Sequence, residues 1–227
     1  TGEADAMVAA WLPGTHGHYL SEVSGQVVNM GANLTGTQIG LVVPDVSTGR
    51  QTAASGQRNE SYIKAESIPD LKKYRDEFGG KIIGIDPGAG IMKKTKEALE
   101  AYGLDNYELV EGSEEKMTDL LSRAIQKKEW IVVTGWQPHW KFARWELKFL
   151  DDPKRVYGSK ENINTIVRKG FAEDMPEVYD FLSSFEWSPK DMGQLMIWNQ
   201  ADGALPDETA ERWVESNEEL VNTWLGK

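Results

Sequence analysis

Along this chain, apolar runs of strand length alternate with longer stretches in which apolar residues recur every three or four positions, and Gly and Pro punctuate the breaks. Ala6-Met-Val-Ala-Ala-Trp-Leu12 reads as a buried strand with no earlier element to pair with. Tyr19 to Asn33 reads as loop with a short turn, and Gly36-Thr-Gln-Ile-Gly-Leu-Val-Val-Pro44 as a second strand stopped by proline. Residues 45–64 predict a solvated loop, since Asp45 to Glu60 is rich in Ser, Thr, Gly, Gln and Arg and has little to bury. Ser67 to Phe78 predicts a short capped helix, with Ser67 at the cap, Pro69 in the first turn and Leu71, Tyr74 and Phe78 on one face.

From Lys81 the alternation becomes regular: strand Lys81 to Ile85, helix Ile91 to Tyr102, strand Tyr107 to Val110, helix Ser113 to Lys127, strand Trp130 to Thr134. Two successive βα units favour a parallel sheet with right-handed crossovers. A strand follows at Ile163 to Lys169, then helices at Pro176 to Phe185, Ser188 to Gln200 and Pro206 to Thr223. The expected organisation is α/β in two lobes, residues 1–44 with 149–227 forming lobe I and residues 65–148 lobe II.

Composition narrows the function. A length of 227 residues suits one large or two medium α/β domains, and a net charge of −11 argues against nucleic-acid or anionic-membrane partners, because no basic stripe exists to neutralise phosphates. With no Cys, neither disulfides nor thiolate metal sites are available. No stretch approaches the roughly 18–20 apolar residues of a membrane span, and no signal segment opens the chain. Nine Trp in a polar chain must be core anchors or ligand walls.

Candidate chemistry gathers where strands stop. In Asp86-Pro-Gly-Ala-Gly-Ile-Met92 the glycines permit close backbone approach, and a helix beginning near Gly90 aims free N–H groups at whatever lies there, suiting a carboxylate or phosphate. The turn matches neither the dinucleotide fingerprint nor a P-loop, and it can equally be a bare strand-to-helix turn. Trp11 and Trp136 each end a strand beside a proline; aromatic faces attract cations, and a quaternary ammonium is recognised chiefly by such cages, although a lone Trp at a strand end is usually core. His16 lies where it could donate to an anionic group, or be an exposed loop histidine. With His18 and His139 it lacks the partners of a zinc site, so no metal is expected. No Gly-x-Ser-x-Gly elbow or paired catalytic carboxylates are found, which points away from an enzyme and from any cofactor.

At these residues the chain resembles the OpuA-type substrate-binding proteins of glycine betaine (compatible solute) ABC importers. Ala10-Trp-Leu-Pro-Gly-Thr-His16, Gly40-Leu-Val-Val-Pro44, Ile82 to Met92, Thr134-Gly-Trp-Gln-Pro-His-Trp140, Leu150-Asp-Asp-Pro-Lys154 and Thr165-Ile-Val-Arg-Lys-Gly170 carry the resemblance across essentially the whole chain. It implies a type II periplasmic-binding fold whose two lobes close over ligand, and a receptor serving a membrane permease and its ATPase on the extracytoplasmic side, anchored or fused. It also implies a prism of three tryptophans around the trimethylammonium, two backbone amides and a histidine on the carboxylate. Carried over, Trp11 and Trp136 match two walls, Gly90 and Ile91 the amides, and His16 the histidine. The third wall belongs in the family to a βαβ segment upstream of Gly2, expected to be missing here; Trp140 and Trp145 are the nearest candidates to replace it. Choline, carnitine or proline betaine are alternative ligands, and an α/β enzyme acting on a small anion at Gly88 to Met92 is the rival of another class.

Overall fold

The structure, a computed structural model, describes residues 4–45 and 61–227, so most of the expected solvated loop at 45–64 lies outside the described residues. Its described end departs from the expectation, since Ile63 is fully buried. The chain divides into two units: the described residues of Thr1–Thr37, Pro138–Trp140 and Lys160–Lys227 form unit 1, and those of Gln38–Gln137 and Lys141–Ser159 form unit 2. The boundaries therefore fall at 37/38 and 159/160 instead of 44/45 and 148/149. The reason is packing, because Leu41, Val42 and Val43 are buried and pair with strands of unit 2.

Unit 2 is built from the alternation read at Lys81 onward. Strand β3 (Lys81–Ile83) lies parallel to β4 (Glu108–Val110) and to β5 (Val133–Gln137), with helix α2 (Gly90–Tyr102) and helix α3 (Glu114–Lys127) as the crossovers. The second part of β2 (Val27–Pro44) then pairs antiparallel with β5, and β6 (Leu147–Phe149) joins its other edge; the short helix α4 (Lys141–Arg144) links β5 to β6. Ser113 caps α3 by accepting from the Lys116 N–H at 3.2 Å, and Met117, Leu121 and Ala124 on one helical face are buried. Val42, Met117, Leu121 and Val133 form the core, each fully buried aliphatic contributing roughly 1.5–3 kcal/mol. The segment after Ser67 is a 3-10 helix, Ile68–Lys72, whose start is closed by reciprocal Ser67 and Asp70 hydrogen bonds.

Unit 1 corrects the expectation for the first strand. β1 (Ala6–Leu12) is antiparallel to β7 (Glu161–Arg168), which is also antiparallel to the first part of β2, so β7 is the middle strand. Only Ala10 and Leu12 of β1 are buried, against Ile166, while Met7 and Val8 are 49% and 40% exposed. Between β1 and β2 the expected loop is instead helix α1 (Gly17–Val23) and the start of β2. After β7 come α5 (Phe171–Asp174), α6 (Pro176–Ser184), α7 (Pro189–Trp198), α8 (Pro206–Ser216) and α9 (Glu218–Trp224), the last two replacing one expected helix. Phe171 and Leu182 cover Val167, and Trp224 stacks on Trp213 at 5.9 Å and meets Phe185 edge-on at 4.9 Å.

Candidate functional site

Five of the nine tryptophans lie in packed surroundings away from the C-terminal ends of β1 and β5. Trp187, Trp213 and Trp224 belong to the aromatic cluster of unit 1, Trp198 carries the Arg212 guanidinium at 4.1 Å, and Trp130 wedges between Tyr74 and Phe78 at 5.1 Å from each. What is left is Trp11, Trp136, Trp140 and Trp145, all at or beyond the ends of β1 and β5.

In unit 1 the structure brings Trp11 and His16 together. The chain turns after Leu12, passes a cis peptide at Pro13, and closes a loop in which the His16 N–H donates to the Trp11 carbonyl at 2.8 Å while the Trp11 N–H donates to His16 Nδ1 at 3.0 Å. An Nδ1 that accepts a hydrogen bond leaves the imidazole proton on Nε2, which is then a donor. Burial lowers the His16 pKa, His18 adds to that, and the nearby Glu161 carboxylate opposes both. The imidazole is therefore neutral at pH 7, with its N–H on Nε2.

Sequence patterning did not single out Glu161, which shapes this loop from the start of β7. Its side chain is buried, and its two carboxylate oxygens accept from the Thr15 N–H at 2.7 Å and the Thr15 hydroxyl at 2.6 Å. Gly14 passes so close that a Cβ there would overlap the carboxylate. No local signal marks the partnership, since 146 residues separate donor and acceptor. Glu161→Ala strands the Thr15 N–H and should cost about 1–3 kcal/mol in chemical denaturation, with Glu161→Gln losing less. Equal stability of wild type and the Ala variant would remove Glu161 as the loop's anchor.

Unit 2 holds Gly90, Ile91 and Trp136. Gly90 and Ile91 are the first two residues of α2, where helix geometry leaves N–H groups without intrahelical acceptors. Ala89 at the cap offers no side-chain acceptor, and the Ala89 carbonyl is taken by the Met92 and Lys93 N–H groups. Asp86 Oδ1 accepts from the Gly88 N–H at 2.8 Å and shapes the turn. A Cβ at Gly84, just before it, would have to displace the end of the Met92 side chain and would sit 3.1 Å from the Val110 carbonyl.

Trp136 is half-buried near the end of β5, packed on the Val42 and Met117 core, and its ring already carries a cation: Lys141 Nζ lies 4.0 Å from the ring centroid. Trp145 packs on the same core with Arg144 5.4 Å from its ring, while Trp140 stands 5.3 Å from the buried His139. Among the described residues no group of three His, Cys, Asp or Glu side chains is placed to hold a metal ion.

A model of the family described as the substrate binding domain of ABC-type glycine betaine transport systems matches residues 1–216. The chain belongs to this family. One relative, the glycine betaine/carnitine transport binding protein GbuC of Listeria monocytogenes serotype 1/2a (strain 10403S), is 47% identical over 158 residues. Those residues are 68% of this chain and 52% of GbuC, so the chain spans about half the length of that relative. Among solved structures, lactococcal OpuAC in its closed-liganded conformation with glycine betaine superposes with a TM-score of 0.86 at 40% identity, covering 99% of this chain and 81% of that one. The glycine betaine, L-proline binding protein ProX of Borrelia burgdorferi gives 0.86 at 38% identity, covering 98% and 78%. An ABC-transporter choline binding protein with bound choline gives 0.83 at 25% identity, covering 99% and 75%. The α/β, type II periplasmic-binding fold expected from the resemblance is thus the fold of this family member.

Proposed function

We propose that this chain is the ligand-receiving part of an ABC importer for glycine betaine or a close quaternary-ammonium analogue, handing ligand to a membrane permease driven by an ATPase. In this reading the trimethylammonium group lies against the faces of Trp11 and Trp136, and the carboxylate accepts from the Gly90 and Ile91 amides and from His16 Nε2. The observation that carries it is the Trp11–His16 pair, in which a hydrogen bond from the Trp11 backbone N–H fixes a neutral imidazole with its donor on Nε2. The ligand is bound and released unchanged, and the receptor works on the extracytoplasmic side. No helix among the described residues is long and apolar enough to cross a membrane.

Calorimetric titration with glycine betaine, carnitine, proline betaine, choline and unmethylated glycine tests the reading. Choline keeps the cation but presents a neutral hydroxyl to amides that suit an anion, so it should bind about tenfold more weakly than glycine betaine or worse. Equal affinities would move the assignment to a choline receptor, like the choline binding protein whose solved structure this chain resembles. Binding of none of the panel would end it.

A further inference from the structure

A lysine at full burial needs an account, and Lys141 is 0% exposed in the first turn of α4. Gly135 adjoins its stem: a Cβ there would overlap Val42 and sit in ordinary contact with Lys141 Cε at 3.7 Å. Its ammonium lies 4.0 Å from the centroid of the Trp136 ring and 5.6 Å from that of Phe142.

We propose that Lys141 is a specificity-determining residue: its ammonium competes with a quaternary-ammonium ligand for the π-face of Trp136, so that the chain binds such ligands more tightly when the lysine is neutral. This rests on Trp136 being a wall of the ligand site. The competition does not depend on which ring face the ligand takes. On the lysine's face the two cations exclude each other, and on the opposite face they share one ring's electron density while repelling across it. Two unit charges about 8 Å apart at an effective dielectric of about 20 change affinity by a factor of ten or more.

The groups around the ammonium decide when it is charged. Burial lowers the lysine's pKa to about 7, and the Glu114 carboxylate at the start of α3 pulls the other way. Arg144, on the same helix, lies over Trp145, and Lys148 on β6 is paired with Glu66 at 2.5 Å. The adjoining residues of β5 and β2, Thr134, Gly135 and Val42, are uncharged. Lys141 thus changes charge near neutrality, above the range in which His16, lowered from 6.5, titrates.

The test is glycine betaine titration between pH 6.5 and 8.5 for wild type, Lys141→Met and Lys141→Arg, with ligand-free tryptophan fluorescence over the same range. Wild-type affinity should rise several-fold with pH, Lys141→Met should be tight and flat, and Lys141→Arg weak and flat, because guanidinium stays charged. Without ligand, wild type should show a fluorescence transition near pH 7 that disappears in both Lys141→Met and Trp136→Phe. Binding retained with the same pH profile in wild type and Lys141→Met overturns the proposal, as does a ligand-free transition that survives Lys141→Met. Failure of every variant to bind, with the fluorescence transition intact, instead overturns the assignment of ligand and leaves Lys141 as the charge on Trp136.

Discussion

Replacing Lys141 with methionine should stabilise the chain by about 3 kcal/mol at pH 6, and the gain should shrink as pH rises toward 10. Burial lowers the pKa of this side chain from 10.5 to about 7 against the smaller upward pull of Glu114. Between those values the unfolded chain holds a proton that the folded chain gives up, so stability rises with pH across that window. Below it the whole cost of burying the charge is present, and above it the cost is gone. The gap corresponds to about 4–5 kcal/mol at about 1.4 kcal/mol per pH unit, offset in part by the Trp136 contact of about 1–2 kcal/mol that methionine forgoes. Methionine keeps the apolar packing of the stem. Thermal unfolding at pH 6, 8 and 10 reads the effect: the variant's midpoint should lie roughly 6–12 °C higher at pH 6, and the gap should narrow to about 2–3 °C at pH 10, just below the pKa of the unfolded lysine. Parallel profiles would mean that the folded chain holds the ammonium as well as water does.

The second large effect is on affinity. Trp136→Ala and Trp11→Ala each remove a desolvated cation–π contact of about 2 kcal/mol or more, on the order of thirtyfold in glycine betaine affinity, and Phe or Tyr at either position should cost less. Trp136 also packs on the core of unit 2, so its Ala variant needs an unfolding control, whereas Trp11, half-buried at the end of β1, gives the cleaner measurement. Unchanged titrations for both Ala variants would remove the aromatic cage.

The parts of the fold legible in the sequence were those with a dry face. From β3 to β5 each strand is an apolar run and each helix an apolar stripe, and the elements fall within a few residues of their expected bounds. The residues from Val27 to Gly31 read as loop because the strand there is wet and interrupted by glycine, with little burial to impose alternation. β1 misled in the opposite sense: its apolar run promised a buried strand, but only Ala10 and Leu12 are buried, and Met7 and Val8 are exposed. At the candidate site, Trp11, His16 and the α2 turn could be read because each is a local break in a pattern. Glu161 and Lys141 could not, since a buried carboxylate and a buried ammonium contradict the polarity by which sequence is read, and the Thr15 partner of Glu161 lies 146 residues away.

The place of β7 fixes an order of events during synthesis. β1 and the first part of β2 both take their described pairings in unit 1 from β7, whose first residue is made about 120 residues after Thr37. At ribosomal speeds of about 5–20 residues per second, those two strands wait roughly 6–25 s for their partner. All of unit 2 is translated in that interval. A nascent chain halted just after Ser159 therefore has all of unit 2 translated while β1 and the first part of β2 still lack β7, and Ala10 and Leu12 lack the Ile166 side of their cluster, a surface that chaperones could cover until β7 is made.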